Sequence, residues 1–124
     1  MDFKEYTDLI CKRIREILPA DYPVFSGNIP LGLRNAVSVN IKSAVTGNRS
    51  CIISFTITLR SGEHALLLSD AGELRRKISG NFNDTTVVEV PEQDFSIEGV
   101  KGEFYWLWQT GFDIRVFNAD RKGA

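Results

Sequence analysis

Few residues of this chain have types and spacings suited to chemistry. The single histidine, His64, would act as a general acid or base only with a nucleophile or carboxylate within hydrogen-bond reach. Its neighbour Glu63 does not face it on a helix, since facing pairs lie three or four residues apart. His64 therefore reads as an exposed or N-terminal helix residue at a turn-to-helix junction. Glu89, Glu92 and Asp94 would offer oxygen ligands to a hard cation, but no calcium-loop pattern surrounds them and Pro91 marks an ordinary acidic loop. Gly27-Asn28-Ile29-Pro30-Leu31-Gly32 lacks the Gly-Lys-Ser/Thr ending of a phosphate cradle, and its proline removes a backbone donor. A connection that needs special backbone angles accounts for it. Tyr105, Trp106 and Trp108 would stack on bases or sugars, yet such platforms carry positive charge, and here the flanks are Glu103 and Asp113. No catalytic residue, cofactor site or metal site is expected, and an enzyme is not.

The aromatic segment has a plainer use. From Phe104 to Val116 the even positions carry Phe, Trp, Trp, Thr, Phe, Ile and Val, while the odd ones include Gln109, Gly111, Asp113 and Arg115. Strand side chains alternate between faces, so one long strand gathers this apolar bulk on one side. A hairpin turning at Thr110-Gly111 would mix Trp106 and Trp108 with Asp113 and Arg115, because a two-residue loop pairs its flanking residues. The single strand is predicted. It is far longer than the usual five or six residues, long enough to reach beyond its own core and pack against other subunits.

A chain of 124 residues makes one domain, expected over 1–118, with a polar tail at 119–124. Fifteen basic and sixteen acidic residues leave a net charge of -1. That balance lacks the basic excess of a nucleic-acid binder, so no sequence-specific nucleic-acid partner is expected. Arg75-Arg76-Lys77 reads as a solvated helix face near a C-terminus. Cys11 and Cys51 have no metal spacing and read as small buried hydrophobes. The start of the chain lacks a signal-peptide layout, and no apolar run approaches the roughly eighteen residues of a membrane span. A reducing cytoplasm, with no membrane partner, is the expected setting.

Elements follow from periodicity. Phe3, Tyr6, Ile10, Ile14 and Ile17 give a helix from about Asp2 to Leu18, ended by Pro19. A short strand over Tyr22–Ser26 precedes the glycine-bearing connection. Alternation then predicts strands over Ala36–Ser43 and from Cys51 to Arg60, joined by a turn at Val45–Arg49 as an antiparallel hairpin. Leu67, Ala71, Leu74 and Ile78 form the inner face of a helix over Gly62–Ser79, with Gly80 as its stop. Ala65–Leu68 reads alternatively as a strand, with Asp70 and Glu73 then capping a shorter helix. Thr85–Val90 is a short strand, Pro91–Gly102 a loop, and the long strand closes the domain. The order is helix, three strands, helix, two strands. This is an α+β fold, a mainly antiparallel sheet with both helices on one face.

The assembled segments resemble the tail terminator proteins of long-tailed bacteriophages and prophages, also labelled tail completion or minor capsid proteins. The resemblance is carried by the opening helix, Val24-Phe25-Ser26-Gly27-Asn28-Ile29-Pro30, Asn35-Ala36-Val37-Ser38-Val39 and Phe55-Thr56-Ile57-Thr58-Leu59-Arg60-Ser61. The helix through Leu74-Arg75 and Gly102-Glu103-Phe104-Tyr105-Trp106 complete it. It spans most of the chain as pattern and element order, and the aromatic last strand departs from it. It implies a non-enzymatic virion protein, present in the host cytoplasm during assembly and then at the head-proximal end of the tail. Such a protein forms a ring, a hexamer, on the finished tail tube, stops polymerisation and joins the tube to head-completion proteins. Its partners would be itself, the tail tube protein and a head-completion protein. By analogy the contacts would lie at Thr46, Asn48 and Arg49 of the hairpin turn and at an outward Arg60. The alternatives are a head-tail connector component, or a small monomeric regulator that binds a host protein through the aromatic strand.

Overall fold

The structure, a computed structural model, describes residues 3–19, 22–30, 32–78, 81–82, 85–100 and 103–117. The opening periodicity forms helix α1 (Phe3–Ile17), followed by strands β1 (Val24–Ser26), β2 (Ala36–Thr46) and β3 (Ser50–Ser61). Helix α2 (His64–Ile78) comes next, then β4 (Asn81–Phe82), β5 (Thr85–Val100) and β6 (Glu103–Phe117). The fold is α+β, as the alternation requires, with one six-stranded sheet in the order β1-β2-β3-β6-β5-β4. Among the described residues only the β1–β2 pair is parallel.

The apolar faces meet on one side of the sheet. Ile10 and Ile14 of α1 and Leu67, Ala71, Leu74 and Ile78 of α2 join Val37 and Val39 of β2 in one buried cluster. Ile53, Phe55, Ile57 and Leu59 of β3 and Trp108, Phe112 and Ile114 of β6 complete it. Their alternation places Ser54, Thr56, Thr58, Gln109, Asp113 and Arg115 on the reverse face, away from the helices. Phe3 and Ile17 do not share in full burial: Phe3 is exposed and Ile17 only packs on the margin, while Cys11 and Leu18 are buried. The helix turns its apolar stripe slightly from the one drawn by spacing alone.

Two local ambiguities resolve. Ala65–Leu68 is helical, part of α2, whose first intrahelical bond runs from Leu67 N–H to Glu63 O at 3.0 Å. Ahead of it the Ser61 hydroxyl accepts the Glu63 N–H at 3.1 Å, so Asp70 and Glu73 do not open the helix. β6 is one strand of fifteen residues with no turn at Thr110-Gly111. It pairs continuously with β3 from Ser61↔Trp106 to Ser50↔Phe117.

Two expectations are corrected. The segment from Pro91 to Val100 is not a loop but the second half of β5, paired with β6 from Gln93↔Thr110 to Val100↔Glu103. Pro91 is accommodated by a bulge between Glu89 and Gln93 on a strand whose outer side, among the described residues, meets only β4. An edge strand is where a residue without an N–H is tolerated. The short strand β4 also precedes β5, so three strands follow α2, not two. Gly80 and the tail at 119–124 lie outside the described residues.

The connection after β1 does need unusual backbone angles: Gly27 and Gly32 have φ of 101° and 91°, where a β-carbon is disfavoured. It folds over the reverse face beside the end of β3, where Arg60 holds it.

Candidate functional site

Arg60 lies on the face of β3 opposite the core, yet it is only 4% exposed. Its Nη1 donates to Pro30 O at 3.4 Å and to Leu33 O at 3.3 Å, and its guanidinium sits 5.3 Å from the centre of the Tyr105 ring. Arg34 Nη2 donates to Gly62 O and Gly62 N–H donates to the Asn35 side chain, closing the same seam. The expectation of an outward, partner-facing Arg60 is therefore corrected. Facing away from the helices is not facing water when a loop covers that end of the sheet. The planar guanidinium acts here as a clamp, satisfying two loop carbonyls and lying over an aromatic ring.

The other three residues named from sequence are together and exposed. Thr46 ends β2, and Asn48 and Arg49 form the turn that Gly47 N–H closes on Ser50 O at 2.7 Å. The Thr46 hydroxyl lies 3.7 Å from the sulfur of half-buried Cys51. The turn is a small polar knob at one end of the sheet.

The opposite end carries a surface of another kind. β5 and β6 continue past the last β3 pair as a two-stranded arm, through Glu98↔Tyr105, Gly99↔Phe104 and Val100↔Glu103. Cross-strand partners share a face, so Phe95 beside Trp108, Ile97 beside Trp106, and Phe104 all lie on the side that the helices cover elsewhere. The helical layer stops at His64, whose ring tilts against Trp106 with centroids 4.3 Å apart. Beyond that stop Phe104 is 73% exposed, and on the β5 side of the neighbouring rows Ile97 is 57% and Phe95 54% exposed. Burying one such side chain contributes roughly 1.5–3 kcal/mol, so three together form an exposed apolar patch of appreciable size. Phe95 and Ile97 were hidden in sequence by Pro91, which reads as a loop signal. The alternation Phe95, Ser96, Ile97, Glu98 was the strand signal that competed with it.

The remaining chemical candidates disperse. His64 starts α2, exposed, with its ring tilted against Trp106. Glu89, Glu92 and Asp94 lie along β5, and their side chains are outside the described residues. Among the described residues no group of three or more His, Cys, Asp or Glu is placed to hold a metal ion. Nor is any helix among them long and apolar enough to cross a membrane. Arg76 and Lys77 pair with Glu73 at 2.8 and 3.0 Å on the exposed last turn of α2, as a solvated basic helix end should. Those hydrogen bonds hold the Glu73 carboxyl below its ordinary value, first through Arg76 and then Lys77. Burial pushes the Cys11 thiol up, with Asp8 adding to the shift and Arg15 opposing it.

No protein-family model matches the chain, and no curated protein matches its sequence. The geometry described above therefore stands on its own.

Proposed function

We propose that this chain is a structural subunit of a bacteriophage or prophage tail, a terminator that forms a ring on the tail tube, stops its growth and meets the head-completion complex. The observation that carries the reading is the exposed apolar patch of Phe95, Ile97 and Phe104, which borders the buried cluster at Trp108 and runs onto the part of β6 past the last β3 pair. A surface of that type on a small α+β domain fits protein–protein assembly. The element order and the residues that resemble tail terminators supply the kind of assembly. The partners are further copies of the chain, the tail tube protein and a head-completion protein, with assembly in the host cytoplasm and residence in the virion. The role is not enzymatic.

The same arm fits a second reading, a monomeric regulator docking a host protein through its apolar surface, and a head-tail connector component remains a neighbour of the first. Tube polymerisation separates them. Purified tail tube protein is assembled with and without the chain, and tube lengths are measured by electron microscopy. The terminator reading expects short tubes of uniform length with the chain at one end, and loss of that arrest in Phe104→Asp. Tubes of unchanged length, with no chain cosedimenting at any concentration, overturn it and favour the regulator.

A further inference from the structure

We infer that two copies of this chain pair through a twofold contact in which helix α2 of each lies over the uncovered β5 face of the other. The helical layer is narrower than the sheet beneath it. Helices pack about 8–10 Å apart and strands about 4.8 Å apart, so two helices span roughly four strands. The sheet has six strands. α1 lies over β1 and β2 and α2 over β3 and β6, which leaves β5 beyond the layer. The result is a step. Exposed Phe95 and Ile97 form its floor, with Phe104 at one end. His64, against half-buried Trp106, stands at the foot of the wall that α2 makes.

α2 is itself the element that fits such a floor. Its inner face is Leu67, Ala71, Leu74 and Ile78, all buried, yet the outer side of its first turns is also largely apolar. Leu66 is 40% exposed and Leu68 47%. At about 100° per residue they straddle a strip of exposed Ala65, Ser69 and Gly72. A helix apolar on both sides is one that packs on both sides. The strip is short-chained, and a β-carbon at Gly72 would meet nothing within 4 Å, which leaves room for the bulk of Phe95 and Ile97. Floor and helix face look to the same side of the sheet. A half-turn that sets one copy's helix on the other's floor therefore does the reverse as well, and the contact closes at two. The area agrees with that. The exposed parts of Phe95, Ile97, Phe104, Leu66 and Leu68 offer about 500 Å² per copy, near the apolar share of about 65% in the ~800 Å² that each partner of a standard homodimer interface buries. The pair itself does not need the tail reading. It deepens that reading by naming what covers the patch in the free chain, so that copies separate before the patch meets a tail; for this last step the inference rests on the reading above.

The test is mass by light scattering across a concentration series, with cross-linking to fix the geometry. Wild type is expected to reach twice the chain mass. Leu66→Lys on the helix and Ile97→Lys on the floor, each checked for native circular dichroism, should weaken pairing at least about tenfold, because each sets a charge in an apolar contact. Gln109→Lys, exposed on the reverse face, should pair as wild type. Salt near 1 M should not loosen the pair, since no ion pair carries it. In a chain with Cys11→Ala and Cys51→Ala, Ser69→Cys copies mixed with Ile97→Cys copies should form a disulfide on mild oxidation, and neither should form one alone. Self-linked Ile97→Cys, the mark of strands joined edge to edge, overturns the inference. So does self-linked Ser69→Cys, the mark of helix on helix, or a wild type that stays monomeric at every concentration. Tube assembly keeps the two claims apart. Leu66→Lys should arrest tubes at a lower concentration than wild type. Arrest by a wild type that never pairs removes the pair and keeps the terminator reading, and pairing without any effect on tubes does the reverse.

Discussion

Phe104 and Phe112 stand on the same face of the same strand, yet Phe112 is 2% exposed and Phe104 is 73% exposed. Nothing in the local alternation separates them. What differs is the layer above: helices and the β3 neighbour cover the sheet around Phe112, and both have ended by the row of Phe104. Identical patterning thus makes core in one half of the sheet and an exposed apolar surface in the other.

The sharpest way to break this comparison is to remove an aromatic from each half. Trp108→Ala, in the buried half, should cost about 3–5 kcal/mol in denaturant unfolding, through lost transfer energy and the cavity left behind. Phe104→Ala should fall within roughly 0.5 kcal/mol of wild type. A similar cost for both would mean that the arm is part of the core and is not a free surface.

Next in size is the clamp on the reverse face. Arg60→Met keeps much of the apolar stem but leaves the Pro30 and Leu33 carbonyls without their donor, for an expected loss of about 1–3 kcal/mol. Thr58→Ala, one strand position class away on the same face and half-buried, should change thermal stability far less. Gly27→Ala would force a β-carbon into the left-handed region and should cost about 1 kcal/mol by the same measurement.

The smallest effects are electrostatic. Glu73 has a lowered carboxyl pKa in the folded chain, so its contribution is present above the unfolded value and fades as pH falls through the folded one. Glu73→Gln should therefore flatten the acid limb of the stability–pH curve slightly, with no change near neutrality in its slope. Cys11 is shifted the other way: its folded pKa is raised, so its contribution is full below the unfolded value and is lost as alkaline pH passes the folded one. Cys11→Ser should reduce that alkaline loss, and at neutral pH an alkylating reagent should modify half-buried Cys51 faster than buried Cys11.

Much of the fold was legible because amphipathic periods are local. Leu67, Ala71, Leu74 and Ile78 announced the inner face of α2, and the Ile53–Leu59 alternation announced β3. The polar turn at Thr46–Arg49 was legible for the same reason. Arg60 was not, since a strand's alternation says which face a side chain takes and not whether a loop distant in sequence folds over that face. The arm was half legible: β6 was seen at full length, while Pro91 concealed its partner, because proline signals a break and only the sheet shows that the break is a bulge on an edge.

By itself, then, the sequence determined the element types, the buried stripe of each helix and the extent of the last strand, all set by side-chain period and steric preference within a few residues. Tertiary structure alone decided which apolar residues stay outside the core and which charged one goes in. Those outcomes depend on where the helical layer ends, how the loop at 27–35 crosses the sheet and how strands distant in the chain align in register. None of these is encoded in a local period, because each arises from contacts between segments far apart in sequence.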